Sequence, residues 1–465
     1  MGKRKKVYGT IIEKMEIVEA GAKGKCIGRH DGKVVFVPFA APGDIADVML
    51  VRSRKNYSEG FLREIHVQSP DRTDPRCKHF GDCGGCKWQH LNYPSQSEMK
   101  SKQVADNFRK IAGLEPEMQP VIASEKEYYY RNKLEFSFSD LKWIVDKNND
   151  ENEEMRALGY HISQRFDKIL HIEECHLQPE YSNTIRNTVY QTALEQNLTF
   201  FNRKTHEGLL RNIIIRNNIE NHWMVSLVVK ENNNDVRNFL EKLKEKLPDV
   251  RSWIYIVNDK RNDSMDGLDY KVFDGPSFLE ERMEHLRFEV GPLSFYQTNH
   301  DQACELYKKT RELAGLTGKE TVYDLYTGTG TIALFVAPNA KKVVGIEYVD
   351  DAIANANSNA EKNNVENCVY YCGDLAKTLT EKFISENGQP DVIITDPPRS
   401  GMHPDVVQQI LKASPDKIVY VSCNSATQAR DVEMMKDQYK VAYLQAVDMF
   451  PQTHHVESIA LLKRI

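Results

Sequence analysis

Residues 7–66 alternate short β-rich runs, VVFVPF, IADVMLV and GFLREI, with turn signals at HDG, APGD and SRKNYSEG. Short strands at that spacing predict a small closed barrel of OB-like form, because closure removes the exposed edges a small sheet would leave. A loop dense in turn formers and cysteine follows, SPDRTDPRCKHFGDCGGCKWQH, leading into a helix expected from about Pro94 to Ala112. Between about 115 and 290 the pattern is mixed. It predicts strands at KLEFSFSD, GLLRNIIIR, HWMVSLVV and SWIYIVND, helices near 180–196 and 234–246, and a solvated acidic insert at DKNNDENEEM.

From about residue 300 the pattern becomes a strict alternation. Helices are expected at 300–315, 331–337 and 350–363, with strands at TVYDLY, KVVGIE, VYYC, DVIITD and KIVYVSC. Alternating β and α units with apolar strands predict a doubly wound parallel α/β sheet, with ligands at the carboxyl ends of its strands. The last two runs, YKVAYLQAVD and ESIALLKR, follow closely enough to close the sheet as an antiparallel pair, an ending typical of methyltransferase sheets. The expected division is a barrel over 1–67, a mixed α+β central domain over 68–290 with its cysteine loop at 68–92, and a catalytic domain over 291–465.

Composition narrows the setting. At 465 residues, 40% hydrophobic and 28% charged, the chain has the make-up of a water-soluble globular protein of two or three domains. No run approaches the roughly 18 apolar residues of a membrane span. The basic start MGKRKKVYGT lacks the apolar segment of a secretory signal, so a cytoplasmic location is expected. Charge is unevenly placed: residues 1–66 carry 13 Lys and Arg against 8 Asp and Glu, a net of +5, whereas the remainder carries −10. A basic module on an acidic body suits localised phosphate contact, with a merely solvated surface as the alternative.

The chemistry sits at the predicted strand tips. The first strand of the sheet runs into Asp324-Leu-Tyr-Thr-Gly328-Thr-Gly330, where glycines allow close backbone approach to a ligand ahead of a helix N-terminus. Glu347 ends the second strand, placed for ribose hydroxyls, and Asp374 follows the third, placed for adenine. The missing three-glycine pyrophosphate fingerprint favours S-adenosylmethionine over a nicotinamide cofactor. The fourth strand ends in Asp396-Pro-Pro-Arg399; amino-group methylases place an aromatic at that last position, so N-methylation is disfavoured. The fifth ends in Cys423-Asn424, at a tip before a helix, where helix N–H groups can lower a thiol pKa.

Carbon methylation of a pyrimidine needs such a cysteine. C5 of uracil is a weak nucleophile until a thiolate adds at C6, and the C5 proton must later be removed by a base. Glu457, in the run His454-His455-Val-Glu457-Ser458 that is expected to open the final strand, is the candidate base; an exposed strand-start glutamate is the plainer reading. The two histidines, alternating on a strand, are not expected to share a metal. Cys77, Cys83 and Cys86 around glycines, with Cys175 further on, suit either an iron–sulfur cluster or tetrahedral zinc. Cys26, Cys304, Cys368 and Cys372 show no partner spacing and are expected to be structural.

With DGKVVFVPFAAPGD, the four spaced cysteines, Phe-Tyr-Gln297-Thr-Asn, DLYTGTG, DPPRSG, VSCNSATQARD and the closing HHVES in this order, the chain resembles, over essentially its whole length, the bacterial RNA uridine-5-methyltransferase family. The likeness is to its 23S rRNA members with a TRAM domain and an iron–sulfur cluster. The resemblance implies Cys423 as nucleophile and Glu457 as base. It implies Gln297, Tyr326, Glu347, Asp374 and Asp396 around S-adenosylmethionine and the target ring, and a [4Fe–4S] cluster on Cys77, Cys83, Cys86 and Cys175. Many relatives have Phe-Cys-Gly where this chain has Tyr326-Thr-Gly, Asn where it has Thr331, and Pro where it has Ser425.

The expected substrate is a single-stranded or flipped uridine in 23S rRNA, with transfer RNA or a non-catalytic RNA-binding assembly role as alternatives. A monomer is expected, without DNA or membrane partners. Arg131-Asn132-Lys133, Arg211 and Arg216 are candidates to grip RNA. Tyr8, Phe36, Phe39 and Tyr57 are candidate stacking residues, some of which the barrel core should claim.

Overall fold

The computed structural model describes residues 8–145, 154–162 and 165–465, so most of the DKNNDENEEM insert lies outside the described residues. The N-terminal strands β1 (Ile11–Ala20), β2 (Lys25–His30), β3 (Lys33–Pro38), β4 (Ile45–Ser53) and β5 (Tyr57–Val67) close into a barrel in the order β1-β2-β3-β5-β4. Its core is aliphatic: Ile12, Met15, Ile17, Val35, Val37, Val48 and Leu50 fill it with Cys26. The four candidate aromatics therefore stay out of it. Phe36 and Tyr57 pair edge-on with ring centroids 5.8 Å apart, and Phe39 packs against Phe80 of the cysteine loop.

Helix α1 (Tyr93–Asn107) starts where Asn92 accepts the Ser95 amide at 3.0 Å with Pro94 in the first turn. It ends in a wide turn to Ala112 that Gly113 breaks at φ 67°. A short strand β6 (Met118–Ile122) comes next. The central sheet is built from β7 (Lys133–Ser139), β8 (Ala157–His161), β9 (Ile169–His171), β10 (Leu210–Asn217), β11 (Trp223–Val229), β12 (Val250–Val257) and β13 (Tyr270–Asp274). Its seven strands run in the order β13-β12-β11-β10-β7-β8-β9. The amphipathic helices α2 (Tyr181–Glu195) and α3 (Asn234–Lys246) cover one face through Ile185, Val189, Phe239 and Leu243.

After the hairpin β14 (Leu279–Met283) and β15 (Leu286–Val290), the expected alternation unfolds: α4 (His300–Ala314), β16 (Thr321–Leu325), α5 (Thr331–Val336), β17 (Lys342–Glu347), α6 (Asp350–Lys362) and β18 (Cys368–Cys372). It continues with α7 (Leu375–Thr378), α8 (Glu381–Asn387), β19 (Val392–Thr395), α9 (Pro404–Ala413), β20 (Lys417–Ser422), α10 (Ser425–Met435), β21 (Tyr439–Val447) and β22 (Glu457–Arg464). The sheet order is β18-β17-β16-β19-β20-β22-β21-β6. The order reverses between β16 and β19, so the tips bearing Asp324 and Asp396 flank the crevice where such sheets bind ligands.

β21 and β22 pair antiparallel as expected, but the eighth strand is β6, which joins β21 in parallel from the far side of the chain. Its sequence, MQPVI, is half-buried and carries a proline, which only an edge strand tolerates and which masks it as a strand in the sequence.

Candidate active site

Asp324 is buried at the end of β16, where its carboxylate accepts the Thr327 hydroxyl at 2.5 Å. The chain then turns through left-handed conformations at Tyr326 (φ 63°), Gly328 (φ 55°) and Gly330 (φ 79°). At Gly330 a Cβ would come 2.8 Å from the Tyr370 hydroxyl, so this turn admits only glycine. The turn brings the Gly328 amide 3.2 Å from one Glu347 oxygen, while the other accepts the Tyr348 and Val349 amides at 2.9 and 3.1 Å. A carboxylate so held keeps about one of its four acceptor positions, on the oxygen facing Gly328, for a hydroxyl donor. Asp374 caps α7 through the Ala376 amide at 3.1 Å. Tyr326 lies among Asp431, Asp374 and Glu347, and burial with those charges pushes its phenol up to about 12. Tyr326, Glu347 and Asp374 thus form one rim of the crevice.

The other rim is set by strand register. Ser422 on β20 lies opposite Ser458 on β22, so the next residue out, Cys423, meets the preceding one on the antiparallel partner, Glu457. Glu457 is 6% exposed, and burial together with Asp396 pushes it up to about 8. Asp396 is pushed up to about 7 by burial and by Asp324. Arg399 opposes these shifts at both Glu457 and Cys423. Its backbone carbonyl is tied to α10 by the Asn424 side chain at 2.9 Å and the Thr427 hydroxyl at 3.4 Å, which fixes the DPPR turn against the cysteine turn.

The thiol itself departs from expectation. Burial, Glu457 and Asp396 push Cys423 up to about 11. The helix end lends it little, because the Asn424 side chain already accepts the Ala426 amide at 3.2 Å. Ser425, where many relatives have proline, accepts a hydrogen bond from Asn107 of α1 at 2.8 Å.

Gln297 is held from the central sheet, with Asn132 donating to its carbonyl at 3.0 Å. Its side chain meets Tyr307, whose buried phenol is pushed far up and faces Asp396, Asp324 and Glu457. Tyr307 is a residue of this crevice that sequence reasoning missed, and Arg399, read in the sequence only against N-methylation, faces Cys423 and Glu457. Tyr307 occupies the apolar face of α4 like any core aromatic. Thr331 has its hydroxyl 3.3 Å from that of Thr329. His454 and His455 precede β22 rather than opening it, and their rings lie 4.2 Å apart instead of on opposite faces. Both are pushed down to about 4 by burial and nearby cations, and so are neutral.

The four predicted cysteine ligands converge elsewhere. Cys77, Cys83, Cys86 and Cys175 line one cavity of about 350 Å³ with Arg131, Tyr160 and Leu177. Burial pushes all four thiols up, Cys83 and Cys86 to about 12, and each also feels the others' charge or a neighbouring arginine. Among the described residues, the group of three or more potential ligand atoms within 4.8 Å of one another is Asp47, Glu64 and His66, so these sulfurs stand further apart. A single tetrahedral ion with bonds of about 2.3 Å would draw them closer. Thr298, next to Gln297, and Thr453, in the loop before Glu457, also line this cavity. Just past Cys86, the Lys87 and Trp88 amides donate to the Gln452 carbonyl at 2.9 and 3.1 Å, in the loop that carries His454 to Glu457.

Two candidate RNA contacts are otherwise engaged. Arg211 is 0% exposed, stacks on Phe201 and donates to the carbonyls of Asn258, Lys260 and Asn262. Arg216 is buried against the Ser294 carbonyl, where burial pushes it down to about 10. An arginine on an apolar strand reads as a surface residue in the sequence, yet here both are buried, Arg211 against three loop carbonyls and Arg216 against one.

Residues 92–465 match the family described as tRNA (Uracil-5-)-methyltransferase. The chain belongs to that family. Residues 16–62, within the barrel, match the TRAM domain. This RNA (uracil-5-)-methyltransferase family member is 49% identical to an uncharacterized RNA methyltransferase of Bacteroides thetaiotaomicron over 450 residues, covering 95% of this chain and 99% of the relative. It is 45% identical to one of Porphyromonas gingivalis, covering 97% and 99%. Among solved structures it is similar to the tRNA (uracil-54, C5)-methyltransferase of Pyrococcus abyssi, crystallised with S-adenosyl-L-homocysteine, at TM-score 0.74 and 30% identity over 96% of this chain and 99% of that one. The family assignment makes the chain an enzyme, an RNA methyltransferase with the S-adenosylmethionine-dependent fold. Among the described residues no helix is long and apolar enough to cross a membrane.

Proposed function

We propose that this enzyme methylates C5 of a uridine in RNA, in 23S rRNA, by way of a covalent bond between Cys423 and C6 of the base. The observation that carries the reading is the register that sets Cys423 opposite Glu457 beside Asp396 and Arg399. S-adenosylmethionine, when bound, supplies an electrophilic methyl group. Gln297, Tyr326, Glu347, Asp374 and Asp396 are the residues placed to hold it and the target ring.

Cys423 forms the S–C6 bond as a thiolate, which delivers electron density to C5 for attack on the methyl group. The developing negative charge on the ring is one that Arg399 can offset. Glu457 then takes the C5 proton, and the electron pair of that C–H bond restores the C5–C6 double bond as sulfur leaves. A base near the operating pH suits that task, and a sulfonium beside the carboxylates favours their ionised forms. A non-catalytic role would leave the opposed nucleophile and base without purpose.

We also read Cys77, Cys83, Cys86 and Cys175 as the cradle of a [4Fe–4S] cluster, supported by their wide spacing around one cavity. On this reading the enzyme works as a monomer in the cytoplasm, where thiols stay reduced. A transfer RNA target is the second reading, favoured by the Pyrococcus abyssi likeness. RNA carrying 5-fluorouridine tests the mechanism, since fluorine cannot leave as a proton does. We expect a stable protein–RNA adduct that requires S-adenosylmethionine and is absent in Cys423→Ala. An adduct on another residue, or turnover by Cys423→Ala, would overturn the mechanism. Mapping 5-methyluridine in both RNAs from a deletion strain decides the target.

A further inference from the structure

A second concave surface lies on the central domain, away from the crevice. It is an open groove of about 720 Å³ lined by His161, Arg165, Phe166, Arg203, His206 and Arg261 from β8 and three loops, with Asp263 as its acid. Asp263 is already shared by two arginines, Arg203 at 2.9 Å and Arg211 at 3.2 Å, so it does not cancel the groove's positive charge. His161 and His206 each bury an Nδ1 atom that has no hydrogen-bond partner. Phe166, 69% exposed, shares the groove lining with these cations and packs no core. Arginines flanking an exposed ring offer what a single nucleic-acid strand binds: charge for phosphate and a face for a base.

The groove is also continuous with the described machinery. Ile162, next to His161, forms a β-bridge with Cys83, and a Cβ on Gly84 would come 3.0 Å from the His161 carbonyl. The cysteine loop thus forms its back, and the far wall of that loop's cavity holds Thr298 and Thr453, beside Gln297 and the approach to Glu457.

We propose that this groove docks a single-stranded segment of the RNA substrate outside the target nucleotide, with Arg165 and Arg261 on phosphates and Phe166 stacked on a base. The inference rests on the proposed RNA function and extends it to a separate binding surface. It is tested on the full-length enzyme with an oligouridylate about 12 nucleotides long, a length that OB-type strand sites span. We expect Arg165→Gln with Arg261→Gln to make the slope of log affinity against log salt shallower by about 1.4, the value for two phosphates on a single strand. Phe166→Ala should weaken binding roughly 5- to 150-fold, the range for one base–aromatic stack. Binding of S-adenosylhomocysteine, and kcat at saturating unmodified rRNA transcript, should stay at wild-type values in all variants.

An unchanged salt slope in an enzyme that methylates RNA would overturn the groove and leave the function standing. A changed slope in a chain that methylates no RNA would do the reverse. Loss of S-adenosylhomocysteine binding alongside RNA binding would mean that these side chains support the fold, and would also overturn the proposal.

Discussion

Cys423 and the quartet of Cys77, Cys83, Cys86 and Cys175 are all thiols removed from bulk water, and in both places burial holds the proton on sulfur. What differs is the company. Around Cys423 the charged neighbours are two carboxylates, Glu457 and Asp396, and one arginine, Arg399. Around the quartet the neighbours include the other thiols, so ionising one opposes ionising the next. On the mechanism proposed above, the lone thiol among carboxylates forms a transient bond to carbon. On the proposed cluster reading, the four facing thiols share a cationic centre that stays. Burial alone therefore does not tell a reactive cysteine from a structural one; the charges facing it do.

The largest effect should come from removing the base while keeping the nucleophile. Glu457→Gln is expected to form the methylated adduct on ordinary RNA and to release it roughly 10² to 10⁴ times more slowly, the range for a lost general base. Single-turnover experiments that follow adduct and product separately check this. Fast release would leave Cys423 in place and move the base elsewhere. At the quartet the expected outcome is of another kind. Protein purified without oxygen should be brown with about four iron atoms per chain. Cys86→Ser should lose the iron and melt at lower temperature, by about 2–4 °C for each kcal/mol lost in a domain of roughly 150–250 residues. Colourless protein with stoichiometric zinc would break the comparison, as would Cys86→Ser losing turnover while keeping fold and both ligand affinities.

A smaller effect isolates the cofactor rim. Glu347→Ala should weaken S-adenosylmethionine by about 1.5–3 kcal/mol, the scale of a hydrogen bond to a charged group, with RNA affinity scarcely altered. Calorimetry on both ligands decides it. Since Glu347 also receives the Gly328, Tyr348 and Val349 amides, equal losses for both ligands would assign it to the turn rather than to the ribose.

How much of this was legible in the sequence follows from what each residue's role depends on. The doubly wound sheet was, because its strands are buried on both faces and read as apolar runs. The place of Cys423 just past the end of β20 was, because an apolar run marks where the strand stops, whereas the burial of Glu457 was not, since a strand-start glutamate reads as exposed. Their mutual opposition was not, since it comes from the β20–β22 register. Tyr307 was hidden because an aromatic on an apolar helix face looks the same whether it packs a core or backs a carboxylate. Arg211 misled in the opposite sense, because a sequence does not say which loop will return to occupy a guanidinium. The thiol pKa of Cys423 was misjudged because burial and two carboxylates far off in the sequence, Glu457 and Asp396, push it up, and neither can be read from the residues around it.

The smallest expected effect separates the two thiol environments by pH alone. In the folded chain without ligands, Glu457 is pushed from its ordinary 4.5 up to about 8. Between those values the folded state keeps a proton that the unfolded state has given up. Stability therefore falls as pH rises through this window, the sign opposite to that of a salt-bridged carboxylate. Glutamine mimics the protonated acid. Glu457→Gln should accordingly come nearest the wild type in melting temperature at about pH 4, below the ordinary 4.5, where Glu457 is mostly protonated in both folded and unfolded chains, and exceed it increasingly as the pH rises to 8 in the absence of S-adenosylmethionine. Asp396, pushed up in part by burial beside Asp324 and itself raising Glu457, gains from losing that neighbouring charge, which adds to the shift in the same direction. Cys86→Ser should show no such crossover, because the loss of a bound centre costs stability at both pH values. A melting difference for Glu457→Gln that is equal at pH 4 and pH 8 would mean that Glu457 is ionised throughout. It would then be an anchored ion-pair residue of Arg399 rather than a base held in readiness.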